Sequence, residues 1–250
     1  MQPFPDDFGI VTESYSSTRR AQVLAVVEAV SLTIGSVIAG IGAVLAISVA
    51  IQASGIPSTD AVQILRSRAI QMGFLAVALV YFITREFPLN STAFRIPSLR
   101  GVAWIVAIPV LSAGAGFVLE PLLASIGIVQ PSASTGMNID NFGTRPLLWI
   151  VVFVGWFVFA APAEELLFRG IIQGRLRQTF EIVPGILLAA VCFGLMHVPV
   201  AALSAGLEPT SAFIETSVSG AIFGVAYERT DNLLVPSVAH AVLWTGGFFL

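Results

Sequence analysis

The chain has 250 residues, 56% of them hydrophobic and 11% charged, with a net charge of -3 and a mean hydropathy of +0.89. This balance is too apolar for the surface of a soluble domain of that length and predicts a polytopic membrane protein. No basic patch is present, which argues against nucleic acid as a partner.

Residues 1–20 include Asp6, Asp7 and Glu13 and lack an apolar core preceded by positive charge, so they read as a polar tail rather than a cleavable signal peptide. Spanning the hydrocarbon takes about 20 apolar residues in a helix, because every backbone N–H and C=O must be satisfied internally. The first such run is 29–51, which contains no charge. The run 69–84 is short, but the flanking Arg66, Arg68 and Arg85 can reach the interfaces and extend it. Runs 101–119 and 146–163 are charge-free, 182–207 is interrupted only by His197, and 232–250 holds only His240. The run 209–227 contains Glu215 and the pair Gly220 and Gly224, a small-residue spacing that lets membrane helices approach closely. The expected fold is therefore all-α, a bundle of about seven transmembrane helices.

The twelve basic residues are all arginine. With the N-terminus cytoplasmic, Arg19, Arg20, Arg85, Arg95, Arg100, Arg169, Arg175, Arg177 and Arg229 fall inside and only Arg66, Arg68 and Arg145 outside, which sets that orientation. The longest polar connection is 120–145, on the outer side in this topology. The chain divides into the tail 1–20, scaffold helices 21–145 and helices 146–250 that carry the chemistry, forming one membrane domain. Cys192, the single cysteine, lies in an apolar run and reads as a small packing residue.

Ionisable side chains in lipid face a bundle interior or a water-filled cavity, and here they cluster in the last four helices. Glu165 and Arg169 are four apart, on one helical face, where carboxylate and guanidinium can pair. Glu164 is turned about 100° from Glu165 and is free for another role; taken alone, the motif also fits a solvated helix end. Phe193 and His197 are likewise four apart, so the ring packs beside the imidazole, and Pro199 loosens the local backbone bonding. His240 lies eight residues into the last run, at a depth comparable to that of Glu164, whereas His197 falls beyond the middle of its span. A single histidine in an apolar helix usually packs; both histidines with an unpaired glutamate suggest a site. One Glu and two His are the residue types that bind zinc or orient a water, with the carboxylate as base. The expected chemistry is hydrolysis at a cavity open to the cytoplasm. Glu28 and Glu215 read as interface positions without a catalytic role.

Three segments in order, EELLFR at 164–169, FGLMH at 193–197 and GAIFGVAYERTDNLLVPSVAH at 220–240, resemble the CPBP group, the CAAX prenyl protease and bacteriocin-processing family of intramembrane proteases, also called Abi. The resemblance covers residues 146 to 250. It implies a multi-pass cell-membrane endopeptidase in which Glu164 activates water, His197 and His240 are the motif histidines, and Glu165 with Arg169 holds the site together. If a divalent metal is bound, zinc is expected, with Glu164, His197 and His240 as ligands; a metal-free glutamate mechanism is the alternative. The implied substrate is a membrane-embedded or lipid-anchored peptide, prenylated CAAX-type chains included. One position departs from the family: four residues after His240 the pattern has Asn or Asp, and this chain has Trp244. That departure motivates a second reading, a weakened or inactive membrane scaffold or immunity factor. Proton-coupled transport is a third, against which the chain shows no paired broken helices.

Overall fold

The computed structural model describes residues 8–85, 94–129, 146–203 and 208–246, and all regular structure among them is helical. In chain order these are α1 (Phe8–Ala53), α2 (Asp60–Ser67), α3 (Ala69–Arg85), α4 (Leu99–Ser125), α5 (146–176), α6 (Ile182–Leu203), α7 (Pro209–Thr230) and α8 (Leu234–Gly246). Asp6, Asp7 and the polar stretch 131–145 lie outside the described residues, as do 247–250 of the last expected span.

Among the described residues, five stretches are long and apolar enough to cross a membrane: Thr18–Ala53, Asp60–Arg85, Leu99–Ser125, Leu147–Leu176 and Ile182–Ala202. The two remaining expected spans differ in kind. α7 carries Glu215, Glu228 and Arg229 together with several hydroxyl residues, and α8, at 13 residues, is only about 20 Å long at 1.5 Å per residue. Both gain their places by packing within the bundle. The second span starts earlier than expected, at Asp60, with a break at Arg68, and α1 already begins inside the expected tail. α4 continues to Ser125 with Pro121 inside it, so Glu120 is helical and does not begin a loop.

α5 is the buried axis. Leu167, Phe168, Ile171, Ile172 and Leu176 are fully buried against Ala25 and Ala29 of α1, Phe74, Ala78 and Tyr81 of α3, and Cys192, Phe193 and Met196 of α6. α1 and α4 instead turn Val23, Val27, Ile38, Val49, Val106 and Phe117 outward, as expected of a lipid-facing surface. Since lipid is as apolar as these side chains, close packing carries much of the helix association. The largest interface is α6 on α7. A Cβ on Gly194 would come within 2.0 Å of Ser217 Oγ and 2.7 Å of the Phe213 carbonyl, so the two backbones meet where only glycine fits. Gly220 makes the reciprocal approach: a Cβ there would come within 3.3 Å of Ala190 Cα.

At the end of the bundle where α1 starts, Glu28 pairs with Arg175 at 2.7 Å and Arg85 at 3.4 Å, joining α1, α5 and α3. Nearby, the Asn232 amide donates to the Arg95 carbonyl at 2.8 Å and accepts from its N–H at 3.1 Å, fastening the entry of α4 to the α7–α8 turn. Arg169 is only 2% exposed, so it takes no part in the arginine asymmetry used to orient the chain.

Candidate active site

The site grows out of α5. Two π-helical stretches, Val154–Ala160 and Leu166–Gln173, flank the short α-helical Ala161–Glu165 that holds both glutamates. Pro162 has no N–H to give to the preceding turn, and the wider i→i+5 winding accommodates that gap. Glu164 and Glu165 are 5% and 0% exposed, which in an apolar bundle requires partners.

Glu165 and Arg169 form the expected pair, with Nε 3.1 Å from Oε2 and Nη1 donating to Oε1 at 3.2 Å. Arg169 also donates through Nη2 to the Gly220 carbonyl at 3.2 Å, and its guanidinium carbon lies 4.3 Å from the centre of the Phe193 ring. Glu165 Oε1 further receives Nδ1 of His240 at 2.8 Å. The pair thus links α5, α7 and α8.

That contact fixes the protonation pattern of His240. The indole N–H of Trp244 donates to Nε2 at 3.0 Å, so Nε2 is an acceptor and the ring proton sits on Nδ1, facing Glu165. Trp244 stacks on Trp156 with ring centres 5.1 Å apart and 9° between planes, and the Arg68 guanidinium lies 4.0 Å from the Trp156 ring centre.

Glu164 faces the other way. Its Oε1 accepts from Gln71 Nε2 at 2.8 Å, and Oε2 stands 3.7 Å from His240 Nε2, too far for a direct bond. Glu164, Gln71, His197, Trp244, Arg68 and Glu215 line one cavity of about 360 Å³. His197 donates through Nδ1 to the Phe193 carbonyl at 2.9 Å, and its ring meets that of Phe193 edge-on, with centres 4.7 Å apart. Nε2 of His197 therefore keeps its lone pair and has no protein partner among the described residues. α6 runs on through Pro199, and His197 lines the cavity despite its depth along the span.

The structure thus brings Glu164, His197 and His240 to one place, with Glu165, Arg169 and Phe193 packed behind them. Gln71 is the residue that sequence reasoning missed, although it is the only side-chain amide in the run 69–84. Its Oε1 is buried without a partner. Glu215, read as an interface position, lines the cavity and accepts from the Ser211 hydroxyl. The cavity draws on the start of α3, the end of α6 and the start of α7, in the half of the bundle where α1 ends.

The three residues expected as metal ligands do not form a ligand set in this arrangement. Both nitrogens of His240 are engaged, and among the described residues no group of three His, Cys, Asp or Glu side chains is placed to hold an ion.

Fold and site together define a polytopic helical membrane protein with a buried glutamate–histidine centre. Residues 146–245 match the family model Rce1-like, described as type II CAAX prenyl endopeptidase Rce1-like, so the resemblance carried by the motifs holds over the segment that contains nearly all of the site. A stretch of 108 residues is 29% identical to the uncharacterized protein YpbD of Bacillus subtilis (strain 168), covering 43% of this chain and 48% of that protein. The match thus spans about half of that relative's length. No solved structure matches.

Proposed function

We propose that the chain is an intramembrane endopeptidase of the cell membrane that hydrolyses peptide bonds in membrane-embedded or lipid-anchored substrates, prenylated CAAX-type chains included. The observation that carries this reading is a buried carboxylate and an imidazole with a free lone pair lining one cavity, Glu164 and His197. The Rce1-like match over residues 146–245 supports the same reaction class.

In this reading a water in the cavity donates one proton to Glu164 and a hydrogen bond to Nε2 of His197. Its oxygen adds to the scissile carbonyl carbon. Glu164 then delivers the proton to the amide nitrogen as the C–N bond breaks, leaving a carboxylic acid on one product and an amine on the other; the acid proton then passes to the amine, giving carboxylate and ammonium. Gln71 carries a second N–H on the cavity wall, beside the one given to Glu164, that can meet the oxyanion, while the single N–H of Trp244 is held by His240. His240 acts through its neighbours, holding Trp244 on one side and Glu165 on the other. No step is routed through a metal, because neither nitrogen of His240 has a lone pair to offer.

The test is cleavage of a prenylated, membrane-anchored reporter peptide by purified protein in detergent. Turnover that disappears in Glu164→Gln, with the melting temperature unchanged, supports the proposal; turnover independent of Glu164 overturns it. A second reading, a scaffold or immunity factor without turnover, draws support from Trp244, which covers Nε2 of His240. Absence of cleavage in wild type and in Trp244→Asn alike would favour it.

A further inference from the structure

Glu215 lines the same cavity as Glu164 and His197, and the peptidase reading gives it no task. It lies six residues into α7, about 9 Å along the helix from its first residue at 1.5 Å per residue. The buried Ser211, one turn earlier, donates its hydroxyl to Oε1 and so fixes the carboxylate without neutralising it. Among the described residues Glu215 makes no ion pair, and its Oε2 has no hydrogen-bond partner. Arg68, the one guanidinium among the described residues of the cavity wall, lies 4.0 Å from the Trp156 ring centre and donates through Nε to Ser67. The wall thus sets two carboxylates, Glu164 and Glu215, against a single cation that is already engaged. A further acceptor is unused: Gln71, 5% exposed and on the same wall, has its Oε1 buried without a partner. With a water held between Glu164 and Nε2 of His197, the acceptors left over are Glu215 Oε2 and Gln71 Oε1. A carboxylate without a counter-ion inside a helical bundle is costly and marks a site for a cation.

We infer that Glu215 binds a basic side chain, lysine or arginine, of the peptide substrate close to the bond that is cut. The inference rests on the peptidase reading and adds a sequence preference to it. Because one cavity of about 360 Å³ holds both carboxylates, a side chain that reaches Glu215 belongs to a residue near the one at Glu164. An ammonium brings three N–H donors and no acceptor, and a guanidinium five, so either suits a wall on which acceptors are in excess. A neutral side chain could supply a donor but not the charge, and opposite charges attract more strongly in a half-buried site than in water. The apolar stem of lysine or arginine matches the rest of the lining, where Ile70, Phe74, Met196, Val200 and Ala201 stand. Basic residues also flank membrane-spanning segments, so a peptide anchored in the bilayer can present one near a helix end, where Glu215 lies.

The experiment uses a membrane-inserting reporter peptide with one lysine moved residue by residue across its cleavable segment, and matched peptides with norleucine in its place. Binding is measured by fluorescence anisotropy in a neutral detergent on the Glu164→Gln background. There no turnover interferes, and Glu215 is the remaining carboxylate among the described lining residues. At one position, or two adjacent ones, lysine is expected to bind about 10- to 100-fold more tightly than norleucine, the range for a hydrogen bond to a charged group. Wild-type kcat/KM rises at the same position. Glu215→Gln brings the ratio close to one, and Glu215→Lys transfers the preference to a peptide with glutamate there. If Glu215→Gln does not fold, Glu215→Asp, which keeps the charge on a shorter stem, decides the question by lowering the ratio without abolishing it. Equal binding of lysine and norleucine peptides at every position overturns the inference, as does a preference that survives Glu215→Gln. A lower melting temperature in Glu215→Gln with both peptides weakened alike makes Glu215 a structural partner of Ser211 and overturns it too. Cleavage without any lysine preference sinks the inference and leaves the peptidase reading intact. Lysine-selective, Glu215-dependent binding without any cleavage by wild type leaves the basic-residue site standing while the peptidase reading fails.

Discussion

Trp244 Nε1 donates to His240 Nε2 at 3.0 Å, one helical turn away on α8. The indole therefore does part of what a family Asn could do at this position, since it offers an N–H to the site, although it cannot accept in return. Trp244→Phe keeps the ring but loses the donor, freeing Nε2. We expect it to lower turnover about 10-fold or more, the cost of one hydrogen bond within a buried network. Trp244→Asn should fall between wild type and Trp244→Phe in rate, and it should lower stability by about 0.5–1.5 kcal/mol through loss of the stack on Trp156. Turnover of the three proteins in one detergent, with their melting curves, checks the order; equal rates would show that the indole N–H is irrelevant to the site.

Because both nitrogens of His240 are engaged, removing metal should have little effect. Dialysis against EDTA or 1,10-phenanthroline is expected to leave turnover and melting temperature unchanged, and purified protein should contain well below one equivalent of zinc. Stoichiometric zinc whose removal stops turnover would mean that Trp244 swings away from His240 in the working enzyme.

Glu164 and Glu165 should separate cleanly by assay. Glu165 is bound by Arg169 and His240, so Glu165→Ala strands a buried guanidinium and should cost about 3–5 kcal/mol, visible as low yield and a reduced melting temperature. Glu164→Gln preserves shape and should lower turnover by at least about 100-fold, the lower range for loss of a general base, with melting little changed. A Glu165→Ala protein as stable as wild type would contradict the assignment of Glu165 to the framework.

Gln71 should behave as a positioning residue for Glu164. Gln71→Leu removes the donor at 2.8 Å from Oε1, and turnover should drop about 10- to 100-fold, mostly in kcat, because the substrate-binding surface is largely retained. An effect confined to KM would place Gln71 in substrate binding instead.

The α6–α7 contact offers a test of close backbone packing. Gly194→Ala would push a methyl group against Ser217 and the Phe213 carbonyl, forcing the helices apart. A loss of about 1–3 kcal/mol is expected from overpacking, with His197, three residues on, displaced from the cavity. Unfolding in detergent and residual turnover measure both effects.

Much of this protein was legible in its sequence. Long runs without charge can only be helices in lipid, since no other single segment satisfies its own backbone. The pairing of Glu165 with Arg169 and the packing of Phe193 on His197 follow from four-residue spacing on one helix, and the structure reproduces both. The contact between Trp244 and His240 has the same spacing and was equally legible, but comparison with the family pattern draws attention to what the indole lacks rather than to the one hydrogen bond it gives.

The rest needed the tertiary structure, because the deciding contacts join residues far apart in the chain. Gln71 meets Glu164 across 93 positions and His240 meets Glu165 across 75, and no local periodicity encodes either pairing. The availability of nitrogen lone pairs on His240 depends on which donors surround the ring, so a list of Glu and His positions could suggest a metal but not test the fit. Which helices wall the cavity was decided by helix order and length in space. Composition and spacing determine which residues are buried and which neighbours on one helix can pair; only the packing of α3, α5, α6 and α8 decides which charges face one another, because that depends on the rotation of whole helices.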